Sequence, residues 1–546
     1  MALRRIQDKY IVLPNYDYSE KYWPIISKTV FDKIEEDEIN TPILVEEILK
    51  DCFEILCSIL NDKISEQKKA SFYIFCHYIH EESIQIWQKQ NEGLQLGEIE
   101  EDFAASRRIL KIILEQSCKL DLVGSPNFCT EAISNIKSFT KGLEELIYIG
   151  TWCYNLSEYI SRSQLFPNSI GVKIENGELN ILTYQPYPKL FEFIYIEKQK
   201  HDSDIVLSDS MLGFKELLET EFKVDYNVLA SFIIKQKGNA KYRFSLFRID
   251  NIIQELHDEY SYNEEFSKTF FAGLTVNKSN SLSIQDCILK NQHENRYIFR
   301  PILELNIDGK FYHMVGYYKW IESFILLSTN SFPFGCYPSE WKKYKEIEAF
   351  IKETDDTHDK LLEEPIIKLL EEDNRVMDSN VVSIKQIKRN SINIEKTIGD
   401  IDILFLNEKN KIIYVCECKH NRSRFDLNNW KRDYTNFKSK YEAQLDRKVN
   451  WVQANKLLIE NHLKIKYPDR DSYDLNDYQT KGIFIINAPT VYMFDGKYRA
   501  FTISDIKDLL SEKYFDIKFE FTFESTGRKL MIEHPYFKNL NQKLNE

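Results

Sequence analysis

Between about residue 40 and residue 165, apolar side chains return at every third or fourth position, the period of a helix with one buried face. The stretch "TPILVEEILKDCFEILCSILNDKI" shows it best, with Thr41 at a predicted N-cap and Pro42 at the first helical position. "ASRRILKIILEQSCKLDL" and "AISNIKSFTKGLEELIYIGTWCYNLSEYI" continue the pattern. The period changes near Pro167. "GVKIENGELNILTY" reads as a hairpin turning at Asn176-Gly177, and strands and helices then mix through "KYRFSLFRI", "NRYIFRPILELNIDGKFYHMVGYY" and "STNSFPFGCYPSE".

A charged helical stretch with an acidic tip at Asp355–Asp356 leads into an orderly last third. Its predicted elements are a helix ("LLEEPIIKLLEED"), three strands ("VVSIKQIKRNSINI", "GDIDILFLN", "KIIYVCECK"), a long helix from Asn428 to Asn461 and a strand ("GIFIINAP"). The expected fold is therefore multidomain α and α/β. A mainly helical region covers 1–165, an α+β region 166–345, and an α/β domain with a central mixed sheet 350–546.

Composition changes this picture little. The 546 residues exceed what one core serves, and 43% hydrophobic and 29% charged residues are a globular balance. Ten scattered cysteines without a CxxC pair, and an N-terminus without an apolar leader, predict reduced thiols in a cytoplasmic protein. No stretch reaches the length of apolar residues that a membrane span requires. A net charge of −13 argues against a surface that coats nucleic acid everywhere, yet allows a local basic groove. No phosphate loop, GxGxxG or internal repeat is present.

The candidate chemistry lies in "GDIDILFLNEKNKIIYVCECKH", residues 399–420. Its two strand patterns are apolar on both faces, as central strands are. Whether the turn between them is Lys409-Asn410 or Glu408 to Lys411, the register sets Asp402 opposite Glu417 and Asp400 opposite Lys419. Facing carboxylates repel unless a cation lies between them. Oxygen ligands of this kind suit Mg²⁺ or Mn²⁺, and Lys419 shares the parity of Glu417. Cys416, Cys418 and His420 fall on the other face, where the cysteines are expected in the core.

These residues resemble the PD-(D/E)XK nuclease superfamily, with its restriction-endonuclease-like core. Gly399-Asp400-Ile401-Asp402 looks like that family's "GEID" variant and Glu417-Cys418-Lys419 matches ExK; the element order over about 355–490 is similar too. The resemblance implies metal ligation by Asp402, Glu417 and the backbone carbonyl of Cys418, and assistance by Lys419 to a water attacking a phosphodiester. It also implies a further acid on the first helix, Glu363 or Glu364, with Glu364 preferred although Pro365 should start or kink that helix. Gln444 is the counterpart of a family glutamine whose QxxxY partner position here holds Lys448.

Between Arg422 and Lys448, eight basic residues oppose four acids. Lys385, Lys388, Arg389, Arg422, Arg424, Lys440, Arg447 and Lys448 are therefore expected along a nucleic-acid groove. The stripe Trp430, Tyr434, Phe437, Tyr441 and Leu445 reads as core, and His77 and His80 as structural. The expected function is a Mg²⁺- or Mn²⁺-dependent endonuclease or exonuclease acting on nucleic acid, DNA before RNA, and the family resemblance implies a role in bacterial DNA metabolism, restriction or anti-phage defence. The N-terminal portion would serve recognition, regulation, or assembly with a second copy or partner subunit. The alternative is a nuclease-like module that binds nucleic acid or a partner protein without cutting.

Overall fold

The computed structural model describes residues 3–31, 38–125, 127–201, 210–235, 244–386, 391–422, 426–470 and 473–545. They fall into two units. The first comprises residues 1–163, 170–182 and 208–355, and the second residues 164–169, 183–207 and 356–546. The last division falls between Asp355 and Asp356.

In the first unit, helices Pro42–Glu66, Ala70–Asn91, Glu100–Ser117 and Ile136–Leu165 supply most of one core. Leu49, Leu56, Phe72, Phe75, Ile109, Ile113, Leu146 and Ile147 meet there, as the three-and-four spacing requires. Thr41 occupies the N-cap position with Pro42 after it, but its side chain makes no capping hydrogen bond. Asn176 and Gly177, with φ of 54° and 77°, close the hairpin in the left-handed conformation that a tight two-residue turn needs. His77 and His80 are buried in helix Ala70–Asn91. Their neighbour Glu81 accepts the backbone N–H groups of Tyr318 and Lys319 at 3.0 and 2.9 Å, holding the start of helix Tyr317–Asn330. The nine cysteines whose side chains are described are all free thiols.

The second unit is built on a five-stranded mixed sheet. In chain order the elements that build it are α1 (Lys345–Glu372, of which the residues from Asp356 onward belong to this unit), β1 (Met377–Val381), β2 (Ile401–Asn407), β3 (Ile412–Lys419), α2 (Leu427–Asn436), α3 (Glu442–Ala454), α4 (Lys456–Lys466), β4 (Gln479–Ile486) and β5 (Arg499–Phe501). The strands lie in the order β1-β2-β3-β4-β5, the first three antiparallel and the last two parallel to β3. Both faces are covered, as the two apolar parities of β2 and β3 demand. Leu362, Ile366 and Leu370 of α1 pack on Ile403, Phe405, Cys416 and Ile485. Phe437, Leu445 and Val452 pack on Leu404, Leu406, Val415 and Phe484 on the other face. Each such buried side chain contributes roughly 1.5–3 kcal/mol. A Cβ at Gly482 of β4 would lie 2.7 Å from Val449 and 3.0 Å from Leu445, so the missing side chain lets α3 lie close on the sheet.

Three sequence expectations need correction. The strand pairing with β2 is Met377–Val381, so of "VVSIKQIKRNSINI" only Val381 joins the sheet, and the described part of the rest forms the separate hairpin Ser383–Lys385 with Ser391–Asn393. Of the two alternatives for Pro365, starting a helix is ruled out: α1 runs through it, with its apolar face on the sheet, despite the lost N–H. The long helix is divided, with a π turn at Phe437–Tyr441 between α2 and α3 and a break at Asn455 before α4. The aromatic stripe is core in two places, since Phe437 and Leu445 face the sheet while Trp430 joins a cluster with Phe166, Leu190, Phe494 and Phe537. That cluster explains why residues 164–169 and 183–207, from the middle of the chain, belong to the second unit.

Candidate active site

The ladder between β2 and β3 runs from Asn407↔Ile412 to Ile403↔Cys416 across the turn Glu408–Lys411. The same register carried one residue further sets Asp402 against Glu417. At this strand end the ladder gives way to side-chain bonding: the Cys418 N–H donates to Asp402 Oδ2 at 2.6 Å. Lys419 Nζ lies 2.7 Å from Glu417 Oε1 and 4.9 Å from the ring centroid of Tyr441 on the π turn.

Lys448 reaches in from α3. Its ammonium donates to Asp402 Oδ1 at 3.1 Å and to Glu417 Oε2, bridging the two acids. Lys448 and Glu417 side chains are each 1% exposed, Asp402 12% and Lys419 21%. Two carboxylates thus meet two ammonium groups, and removing one member would strand a buried charge at a cost of about 3–5 kcal/mol. Burial, and then the Glu417 charge, push the Asp402 carboxyl up to about 6 against the pull of Lys448. Burial pulls the Lys419 and Lys448 ammonium groups down, but the adjoining carboxylates outweigh it and hold both above the usual lysine range.

A cavity of about 200 Å³ opens here, lined by Glu363, Asp400, Asp402, Glu417, Cys418, Lys419, His420, Gln444 and Lys448 together with Leu362. Gln444 stands one helical turn before Lys448, so the two share a face of α3. On α1 it is Glu363 that lines the cavity, while Glu364 is exposed elsewhere on the helix; the preference for Glu364 is corrected. Lys448 is also corrected, from an exposed phosphate contact to a buried partner of both acids. Nothing in its sequence context marks this except its place four residues after Gln444.

The remaining basic residues stand apart. Lys385, Lys440 and Arg447 are exposed and Arg422 is half-buried, and none of the four lines the cavity. Arg447 Nε donates to the Thr397 carbonyl at 3.0 Å. Lys388, Arg389 and Arg424 lie outside the described residues.

Among the described residues one group could offer donor atoms to a metal ion. Ligand atoms of Glu363, Asp402 and Cys418 fall within 4.8 Å of one another, and burial pushes the Cys418 thiol well up, which leaves carboxylates as the anionic donors. Between Asp402 and Glu417 an ammonium already stands in for a cation. Among the described residues no helix is long and apolar enough to cross a membrane. In comparisons with known proteins, the chain matches no family model, no curated protein and no solved structure.

Proposed function

We propose that the second unit is a metal-dependent nuclease of the PD-(D/E)XK kind, hydrolysing phosphodiester bonds. The observation that supports this best is the meeting of Asp402, Glu417, Lys419 and Gln444, from two strands and a helix, around one polar cavity. Asp402 and Glu417 would hold Mg²⁺ or Mn²⁺, with Glu363 beside them. The bound ion would supply Lewis-acid stabilisation of charge on the phosphate and a water of lowered pKa. Lys419 contacts Glu417 and the Tyr441 ring, and its ammonium would hold a water or neutralise a phosphate oxygen. DNA as the preferred substrate, and a role in restriction or anti-phage defence, rest on the family resemblance.

The test compares wild type with Asp402→Ala and Lys419→Ala on single- and double-stranded DNA and RNA, with Mg²⁺, Mn²⁺ or EDTA. Cleavage should require metal and fall by about a hundredfold or more in both variants. Metal-independent cleavage, or cleavage that survives both substitutions, would sink the proposal. One observation favours a second reading, a module that binds nucleic acid or a partner without cutting. Lys448 and Lys419 neutralise both acids with no ion needed. Metal-independent binding of nucleic acid, with no cleavage by wild type in any of these conditions, is what that reading expects.

A further inference from the structure

Lys448 has no part in the proposed hydrolysis, yet its side chain is less exposed than that of Lys419 and its ammonium touches both acids. Resting on the nuclease reading, we propose that Lys448 is a resident counter-ion that competes with the divalent cation for the space between Asp402 and Glu417. The metal-free chain would keep its two carboxylates together through this ammonium. A metal ion would enter only when the ammonium gives them up.

Each carboxylate oxygen already has a donor. Asp402 Oδ1 takes Lys448 and Oδ2 takes the Cys418 N–H, while Glu417 Oε1 takes Lys419 and Oε2 takes Lys448. The two acids and two ammonium groups sum to zero charge. A divalent ion between the acids would have to share their oxygens with an unmoved Lys448 ammonium, like charges near contact distance where water screens them poorly. Lys448 bridges both carboxylates, so its departure frees an oxygen on each. Its four-carbon stem is flexible, and the cavity it lines holds two further acids, Glu363 and Asp400, to receive the charge.

The test uses the full chain as wild type, Lys448→Met and Glu417→Gln/Lys448→Met. Mn²⁺ binding is measured by titration calorimetry, and thermal unfolding is monitored in EDTA and in Mn²⁺. Lys448→Met is expected to bind Mn²⁺ at least about tenfold more tightly than wild type, because the repulsion is gone. It should melt lower than wild type in EDTA and recover in Mn²⁺. The double variant, with one carboxylate fewer, should regain stability in EDTA and lose the response to Mn²⁺.

Equal or weaker Mn²⁺ binding by Lys448→Met overturns the inference and leaves the metal reading standing. Absence of Mn²⁺ binding by both wild type and Lys448→Met overturns the two together. Should Lys448→Met fail to fold in either condition, the double variant decides. If it folds, the unbalanced carboxylate was the fault, and Mn²⁺ binding by Lys448→Gln decides: tighter than wild type supports the inference, equal or weaker overturns it. If it also fails, Lys448 acts through packing and the inference falls.

Discussion

Glu417 shows how far a single side chain depends on its partners. A carboxylate that is 1% exposed at the end of a central strand is tolerable here because Lys419 and Lys448 each bond one of its oxygens. One of those partners is two residues away in sequence and the other thirty-one, and only the first could be read from strand parity. Glu363 and Glu364 make the same point at finer grain. Leu362, Ile366 and Leu370 fix the phase of α1 on the sheet, and that phase turns Glu363 into the cavity and leaves Glu364 exposed. Glu363→Gln is therefore expected to weaken Mn²⁺ binding by about tenfold or more, and Glu364→Gln to leave it unchanged, both by titration calorimetry. The opposite ranking would return the role to Glu364.

At the scale of elements, the sheet edge was the least legible part. Asp378, Ser379 and Asn380 make β1 look like a loop, yet the strand forms and Asp378 anchors α4. Its carboxylate meets His462 Nε2 at 2.7 Å and the Lys466 ammonium. Burial alone would raise the Asp378 carboxyl, but His462 and Lys466 outweigh it and hold it at about 2, against an ordinary 3.8. The folded value is depressed, so the stabilisation is complete above about pH 4 and is lost as pH falls toward about 2. In urea melts, the stability gap between wild type and Asp378→Asn should be widest near neutrality and close over that window. A gap unchanged between those limits would contradict the ion pairing. The π turn was equally hidden, because one extra residue in a helix leaves no compositional trace. Its consequence is local: Tyr441 comes to lie under the Lys419 ammonium.

For the whole molecule, the second unit is discontinuous in sequence. Phe166 stacks on Phe537 with ring centroids 3.7 Å apart, and Tyr187, Leu190 and Ile194 of helix Tyr187–His201 close over Trp430, Phe494 and Phe537. A fragment of residues 356–546 would lose that cover. It is expected to bind a hydrophobic dye such as ANS and to melt less cooperatively than the full chain, because removing a buried Phe alone costs about 3–5 kcal/mol. A fragment that melts sharply without binding dye would show the cover to be dispensable. Weak cleavage by such a fragment would still place the chemistry in these residues.

The sequence by itself determined the features that local periodicity sets. The helical first third, the Asn176-Gly177 hairpin, the doubly covered strands β2 and β3, and the Asp402–Glu417 register all depend on residues near one another in the chain. The tertiary structure alone decided which side chains from distant elements converge. It chose Glu363 over its neighbour, placed Lys448 between the acids instead of in a basic groove, and drew residues 164–169 and 183–207 into the second unit. Those outcomes depend on helix phase and on how closely α3 can lie on the sheet at Gly482, which packing fixes and spacing does not.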